Sequence, residues 1–234
     1  MSRAETQAML PKILTALSGL AILVSLYMVF LFAPTERTMG DVQRIFYFHV
    51  SSAWVGLAAF FVVFVTSIAY LRSQGRKWDM LALSSAEIGV VFITMALVTG
   101  SLWARPTWNT WWTWDPRLTT SAILWIIYVV YLMLRGTIEE PAQRARLAAV
   151  FGIIGFVDVP IVFMAIRWWR TIHPVIFHSE GFDLSGRMLA TFIVCLVSFT
   201  LLYVTLAYQR FKLEVLKARV AQLKQELEEQ ETFE

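Results

Sequence analysis

Charge is scarce in this chain. Of its 234 residues only 16% are Asp, Glu, Lys or Arg, whereas 58% are hydrophobic, a balance outside the range of soluble globular domains. Cysteine is rarer still. The single Cys195 excludes a disulfide framework, a thiol-pair motif and a CxxCH site for covalent haem, so the chain is not itself a c-type cytochrome. It also lacks GxxxxGK[ST], and with it any P-loop, so energy from ATP has to come from a partner. Histidine occurs three times, at His49, His173 and His178. No nucleic-acid partner is expected.

What is abundant is apolar sequence in long runs. Six stretches each approach the roughly 20 residues that a helix needs to cross a hydrocarbon core: Ile13 to Ala33, Val50 to Leu71, Leu81 to Trp103, Pro116 to Leu134, Leu147 to Ile166 and Met188 to Tyr208. The expected fold is therefore all-α, a bundle of six transmembrane helices over 1–208. The first run is longer than a signal-peptide core, and LFAPTER has no small-x-small cleavage site, so it reads as an uncleaved first span. After the last run, Leu213, Leu216, Val220, Leu223 and Leu227 recur at three- and four-residue spacing. That pattern predicts a short amphipathic helical tail over 209–234, too short for a stable coiled coil.

Thirteen of the 20 lysines and arginines fall at the termini and in the second and fourth loops. The bias puts both termini in the cytoplasm. The first, third and fifth loops then share the outer, periplasmic face, and these contain all three histidines and most of a dense aromatic run. Five of the ten tryptophans lie between Trp103 and Trp114, in LWARPTWNTWWTW, followed at once by Asp115, Pro116 and Arg117. Interfacial tryptophans usually anchor helix ends, a sufficient account of Trp54, Trp78 and Trp125. Five in one loop exceed that need, and read as a flat aromatic platform for a planar, partly charged ligand.

Three local readings sharpen this. Asp41 is placed to cap a helix starting near Val42, with His49 about two turns in and a stripe of Ser52, Ala53, Gly56 and Ala59 permitting close approach. His173 precedes Pro174, which disfavours helix and puts it in a loop after the fifth span. For Asp115 two roles stand: N-cap of the fourth span, with Pro116 at its first helical position, or direct contact with a ligand. Two imidazoles from separate segments suit axial ligation of haem iron. Glu87 and Asp158 lie inside spans, where a carboxyl is costly and is expected to be paired or protonated between helices.

GSLWARPTWNTWWTWDPRLT resembles the tryptophan-rich WWD signature of haem-handling membrane proteins. GDVQRIFYFHVSSAW, AEIGVVFITMALVTGSLW and GFVDVPIVFMAIRWWRTIHP resemble its surroundings in the CcmC family of the cytochrome c maturation system. The resemblance implies a protein that holds haem b non-covalently at the outer face and presents it to the haem chaperone CcmE. It implies His49 and His173 as axial ligands, a platform of Trp103, Trp108, Trp111, Trp112 and Trp114, and Asp115, Arg44 and Arg117 as further haem contacts. It also implies the ABC-type complex of CcmA and CcmB and the small single-span CcmD as partners. Two alternatives remain: a haem lyase of the wider WWD group, whose members are larger, and a permease subunit of a haem exporter.

Overall fold

In a computed structural model describing residues 3–173, 177–178, 181–182 and 184–232, the apolar runs form seven α-helices. They are α1 (Arg3–Tyr27), α2 (Ile45–Ser73), α3 (Arg76–Trp108), α4 (Pro116–Thr137), α5 (Pro141–Phe156), α6 (Asp158–Trp168) and α7 (Gly186–Thr232). Together they supply six apolar segments long enough to cross a membrane, α5 and α6 making one of them. A two-residue hairpin, β1 (Phe177–His178) with β2 (Gly181–Phe182), precedes α7; it pairs the backbone of His178 with Gly181.

Local chemistry accounts for the helix ends. Asp115 caps α4, accepting from the Leu118 N–H at 3.0 Å with Pro116 behind it. Glu140 does the same for α5 ahead of Pro141, accepting from the N–H groups of Ala142 and Gln143. Between α2 and α3, Gln74 takes a left-handed conformation and its N–H returns to the Tyr70 carbonyl at 2.7 Å. At the end of the first span, α1 gives way to a π-helical turn, Met28–Phe32, and Ala33 turns extended before Pro34.

Two expectations need correction here. The fifth span is not one helix: Pro160 has no N–H to offer the carbonyl four residues back, and the helix breaks at Val157. Asp41 caps nothing. Gly40, at φ +60°, precedes a 3-10 turn, Asp41–Arg44, that leads into α2, and the Asp41 carboxylate pairs with Arg44 at 2.9 Å.

The small-residue stripe on α2 meets α3. A Cβ at Gly56 would stand 2.5 Å from the Ile93 side chain, and one at Gly89 would stand 2.7 Å from Phe60, so these helices pack at glycine distance. Phe60 stacks on Tyr128 at 3.5 Å between ring centroids, tying α4 to this pair. Around them Val63, Ala86, Ile93, Leu124 and Tyr131 complete a buried core. The first span packs on α7 through hydroxyl pairs, Ser18 with Thr205 at 2.7 Å and Ser25 with Ser198 at 2.8 Å. Its other face, with Leu17, Leu20 and Leu23, is exposed and suits lipid.

The bundle has two unlike ends. At the end where α7 projects, Arg135 grips Asp79 with two bonds of 2.6 and 2.8 Å, and Arg210 reaches Glu87 at 2.5 Å. Glu214 joins Arg210 to Lys217. Glu87 is thus a paired carboxylate between helices. Asp158, at the break in the fifth span, has one buried carboxyl oxygen with no hydrogen-bond partner. The opposite end carries the tryptophans.

Candidate haem site

His49 sits in the second turn of α2, and its Nδ1 lies 2.9 Å from the Ala96 carbonyl on α3. A carbonyl oxygen only accepts, so Nδ1 is the protonated nitrogen and Nε2 keeps its lone pair. This is the arrangement that orients an imidazole toward a metal. Gly100 makes the approach possible, because a Cβ there would stand 2.9 Å from His49 Cε1.

His173 comes from the non-helical segment after α6, its ring centroid 6.3 Å from that of His49. Its backbone N–H donates to Thr171 Oγ1 at 3.1 Å. The Thr171 hydroxyl in turn donates to Asp115 Oδ2, which also accepts from the Ile172 N–H at 3.0 Å. One carboxylate therefore does two things. Its Oδ1 caps α4 and fixes the end of the tryptophan run, while its Oδ2 holds the segment that carries His173. Asp115 is not among the residues lining the cavity between the two histidines.

That cavity, about 450 Å3, is walled by His49 and His173, by Trp103, Trp108 and Trp112, and by apolar side chains of α2, α3, α4 and α6. Its size lies within the range of small-molecule sites. The five tryptophans do not form one platform. Trp103 and Trp108 belong to the last turns of α3, which Asn109 ends in a left-handed conformation, so only Trp111, Trp112 and Trp114 lie in the loop. Trp103 is buried, its ring 5.9 Å from His49. Trp111 and Trp114 are 55% and 79% exposed and line no part of the cavity. Trp114 stands edge-on to Trp112 at 5.8 Å, and Trp111 lies under the Arg105 guanidinium.

The arginines divide in the same way. Arg117 lines the cavity and donates to the Val162 carbonyl at 2.6 Å. Arg44, by contrast, is engaged with Asp41 and with the carbonyl of Val29, away from the cavity wall. Sequence reasoning missed Arg167, which lines the cavity from α6; its place in RWWR, six residues before His173, was the available signal. Two donors in the cavity wall are left over: the indole N–H groups of Trp103 and Trp112 are buried and have no acceptor. Buried donors without partners are rare, and they suit a ligand that brings its own acceptors.

No group of three or more metal-ligating side chains occurs among the described residues, so the site offers two imidazoles and an aromatic wall rather than a complete cage for a bare ion. A ligand already supplying most of the coordination around a metal fits such a site.

The family model described as "CcmC: Heme exporter protein C" matches residues 2–226. The chain is 34% identical over 212 residues to heme exporter protein C of Bradyrhizobium diazoefficiens, covering 90% of this chain and 80% of that one. It is 31% identical to the protein of that name from Haemophilus influenzae, covering 80% and 76%. With that of Rhodobacter capsulatus it shares 29% identity over 224 residues, 94% and 93% of the two chains. As a helical bundle with such bacterial relatives it is a multi-pass protein of the inner membrane, since outer-membrane spans are closed β-barrels. The chain belongs to the CcmC family, haem-handling proteins of cytochrome c maturation that carry and deliver haem without bond-making chemistry.

Proposed function

We propose that the cavity between His49 and His173 holds haem b at the outer face of the membrane for transfer to the chaperone CcmE. The observation that carries this reading is the 6.3 Å separation of the two imidazole rings. Two rings bonded to opposite sides of one iron, at metal–nitrogen distances of about 2 Å, stand roughly 6 Å apart. The accessible lone pair on His49 Nε2 supports the same reading.

The remaining residues take distinct parts. Trp103, Trp108 and Trp112 offer an apolar aromatic wall to the porphyrin. Arg117 and Arg167, with the two unpartnered indole N–H groups, suit the propionates. Asp115 positions rather than binds, because both its oxygens are spent on protein groups. Trp111 and Trp114, exposed beside the site, form the surface against which a chaperone docks. With no P-loop in the chain, release driven by ATP falls to CcmA and CcmB, and CcmD completes the complex.

The test is the absorption spectrum of the purified protein. His49→Ala and His173→Ala each lower haem occupancy about tenfold or more, as loss of a metal ligand does, while His178→Ala leaves it unchanged. Equal spectra for the three variants overturn the axial assignment. Incubation with haem, CcmE and an apocytochrome bearing CxxCH gives a haem-loaded chaperone; a finished cytochrome formed in the same mixture without CcmE instead identifies the protein as a lyase.

A further inference from the structure

At the end of the bundle opposite the tryptophans, a cleft of about 480 Å3 opens between the start of α3 and the projecting part of α7. Arg76 and Lys77 line it from one side and Arg219 from the other. All three cations are exposed and none has an acidic partner among the described residues, whereas the charges packed between helices nearby are paired, Arg135 with Asp79 and Arg210 with Glu87 and Glu214. The Lys77 ammonium lies over the Trp78 ring at 4.7 Å, which leaves its charge unneutralised.

Met80 and Val215 line the cleft nearer the middle of the bundle, Arg76, Lys77 and Arg219 line it further out along the two helices, and Leu223 and Glu226 lie beyond them on α7. It lies between two antiparallel helices, in which Phe92 meets Phe199 and Glu87, nearer the start of α3, meets Arg210. Arg76 lies about 16 Å beyond Glu87 along α3, by the helical rise. Trp78 beside it is of a residue type enriched at headgroup depth.

We propose that the cleft binds the headgroup of an anionic glycerophospholipid. The phosphate sits among Arg76, Lys77 and Arg219, the acyl chains follow Met80 and Val215 into the bilayer, and Glu226 accepts from a headgroup hydroxyl such as those of phosphatidylglycerol. Basic pockets between spans at a membrane face suit this chemistry. A free phosphate would make no use of the apolar wall.

The experiment reconstitutes the full chain in vesicles of phosphatidylcholine with one quarter phosphatidylglycerol, extracts it gently, and weighs the retained lipid by native mass spectrometry. The wild-type chain retains one phosphatidylglycerol. Each cation lost from the cleft weakens retention about fivefold, so the triple variant Arg76→Gln, Lys77→Gln, Arg219→Gln loses it at unchanged thermal midpoint. Lys212→Gln with Lys224→Gln, two cations of the same tail outside the cleft wall, retains it. Equal retention of phosphatidylcholine, an unaffected triple variant, or displacement by millimolar inorganic phosphate overturns the proposal. So does a co-purifying protein that occupies the wild-type chain in place of lipid.

Discussion

The two ends of this bundle treat polar groups in opposite ways. Where α7 projects, buried charges close on one another: Arg135 and Asp79 are 8% and 16% exposed and make a two-bonded pair, and Arg210 joins Glu87 to Glu214. At the tryptophan end, groups of equal burial are left open. Two indole N–H groups lack acceptors, one imidazole is fixed through a single nitrogen, and Arg117 answers only a backbone carbonyl. Satisfied networks hold helices in place, and unsatisfied ones mark where something else is to bind. Substitutions at the closed end should therefore cost stability, and those at the open end should cost haem.

The largest effect is expected at the closed end. Arg135→Ala leaves Asp79 unpaired beside the Tyr131 ring, and removal of one partner from a buried pair costs about 3 kcal/mol or more. The thermal unfolding midpoint in detergent should fall by several degrees, while the haem spectrum of the protein that remains folded is unchanged. A lost spectrum at unchanged midpoint would erase the distinction between the two ends.

Asp115 tests the boundary between the two behaviours, since it stabilises a helix and orients a ligand segment at once. Asp115→Ala removes the cap of α4, worth about 1 kcal/mol, and frees Thr171 and Ile172. Haem absorbance should drop and its Soret band shift as His173 loses its orientation. Asn can still cap with its one carbonyl oxygen, but its NH2 group donates and cannot accept from the Ile172 N–H, so Asp115→Asn should restore most of the midpoint and not the spectrum. If Asn restores the spectrum as well, the bonds to the second carboxylate oxygen do not orient His173.

Much of this was legible in the sequence, and the failures have identifiable causes. Hydropathy marked the six spans because lipid demands long apolar runs whatever their packing. It did not mark the break at Val157, because Pro160 interrupts hydrogen bonding without interrupting hydrophobicity. The cap at Asp115 was readable from Asp-Pro alone, whereas the bonds from its second oxygen to Thr171 and Ile172 depend on a segment 56 residues away. Residue type and topology were enough to bring His49 and His173 to one end, where their rings lie 6.3 Å apart. The tryptophans were read as one platform, because counting rings in a row does not say that α3 carries Trp103 and Trp108, that Trp112 joins them at the cavity wall and that Trp111 and Trp114 are exposed. Arg44 does not line the cavity, because it donates to the Val29 carbonyl in a π-helical turn that no local pattern announces.

The smallest effects separate the ends most cleanly, through two glycines in the last two turns or so of helices that end on opposite sides. At Gly136, near the end of α4, an added Cβ meets nothing within 4 Å. Gly136→Ala should raise stability by up to about 1 kcal/mol through helix propensity and leave haem binding alone. At Gly100 the same methyl gains the same propensity but stands 2.9 Å from His49 Cε1 and 3.2 Å from Nδ1. The ring has little freedom to yield, since the Ala96 carbonyl holds it, so overpacking of about 1 kcal/mol or more offsets the gain. The midpoint of Gly100→Ala should barely move while its haem affinity falls, the imidazole having tilted away from His173. If both variants bind haem like the wild type, the contact between Gly100 and His49 does not set the geometry of the iron ligand.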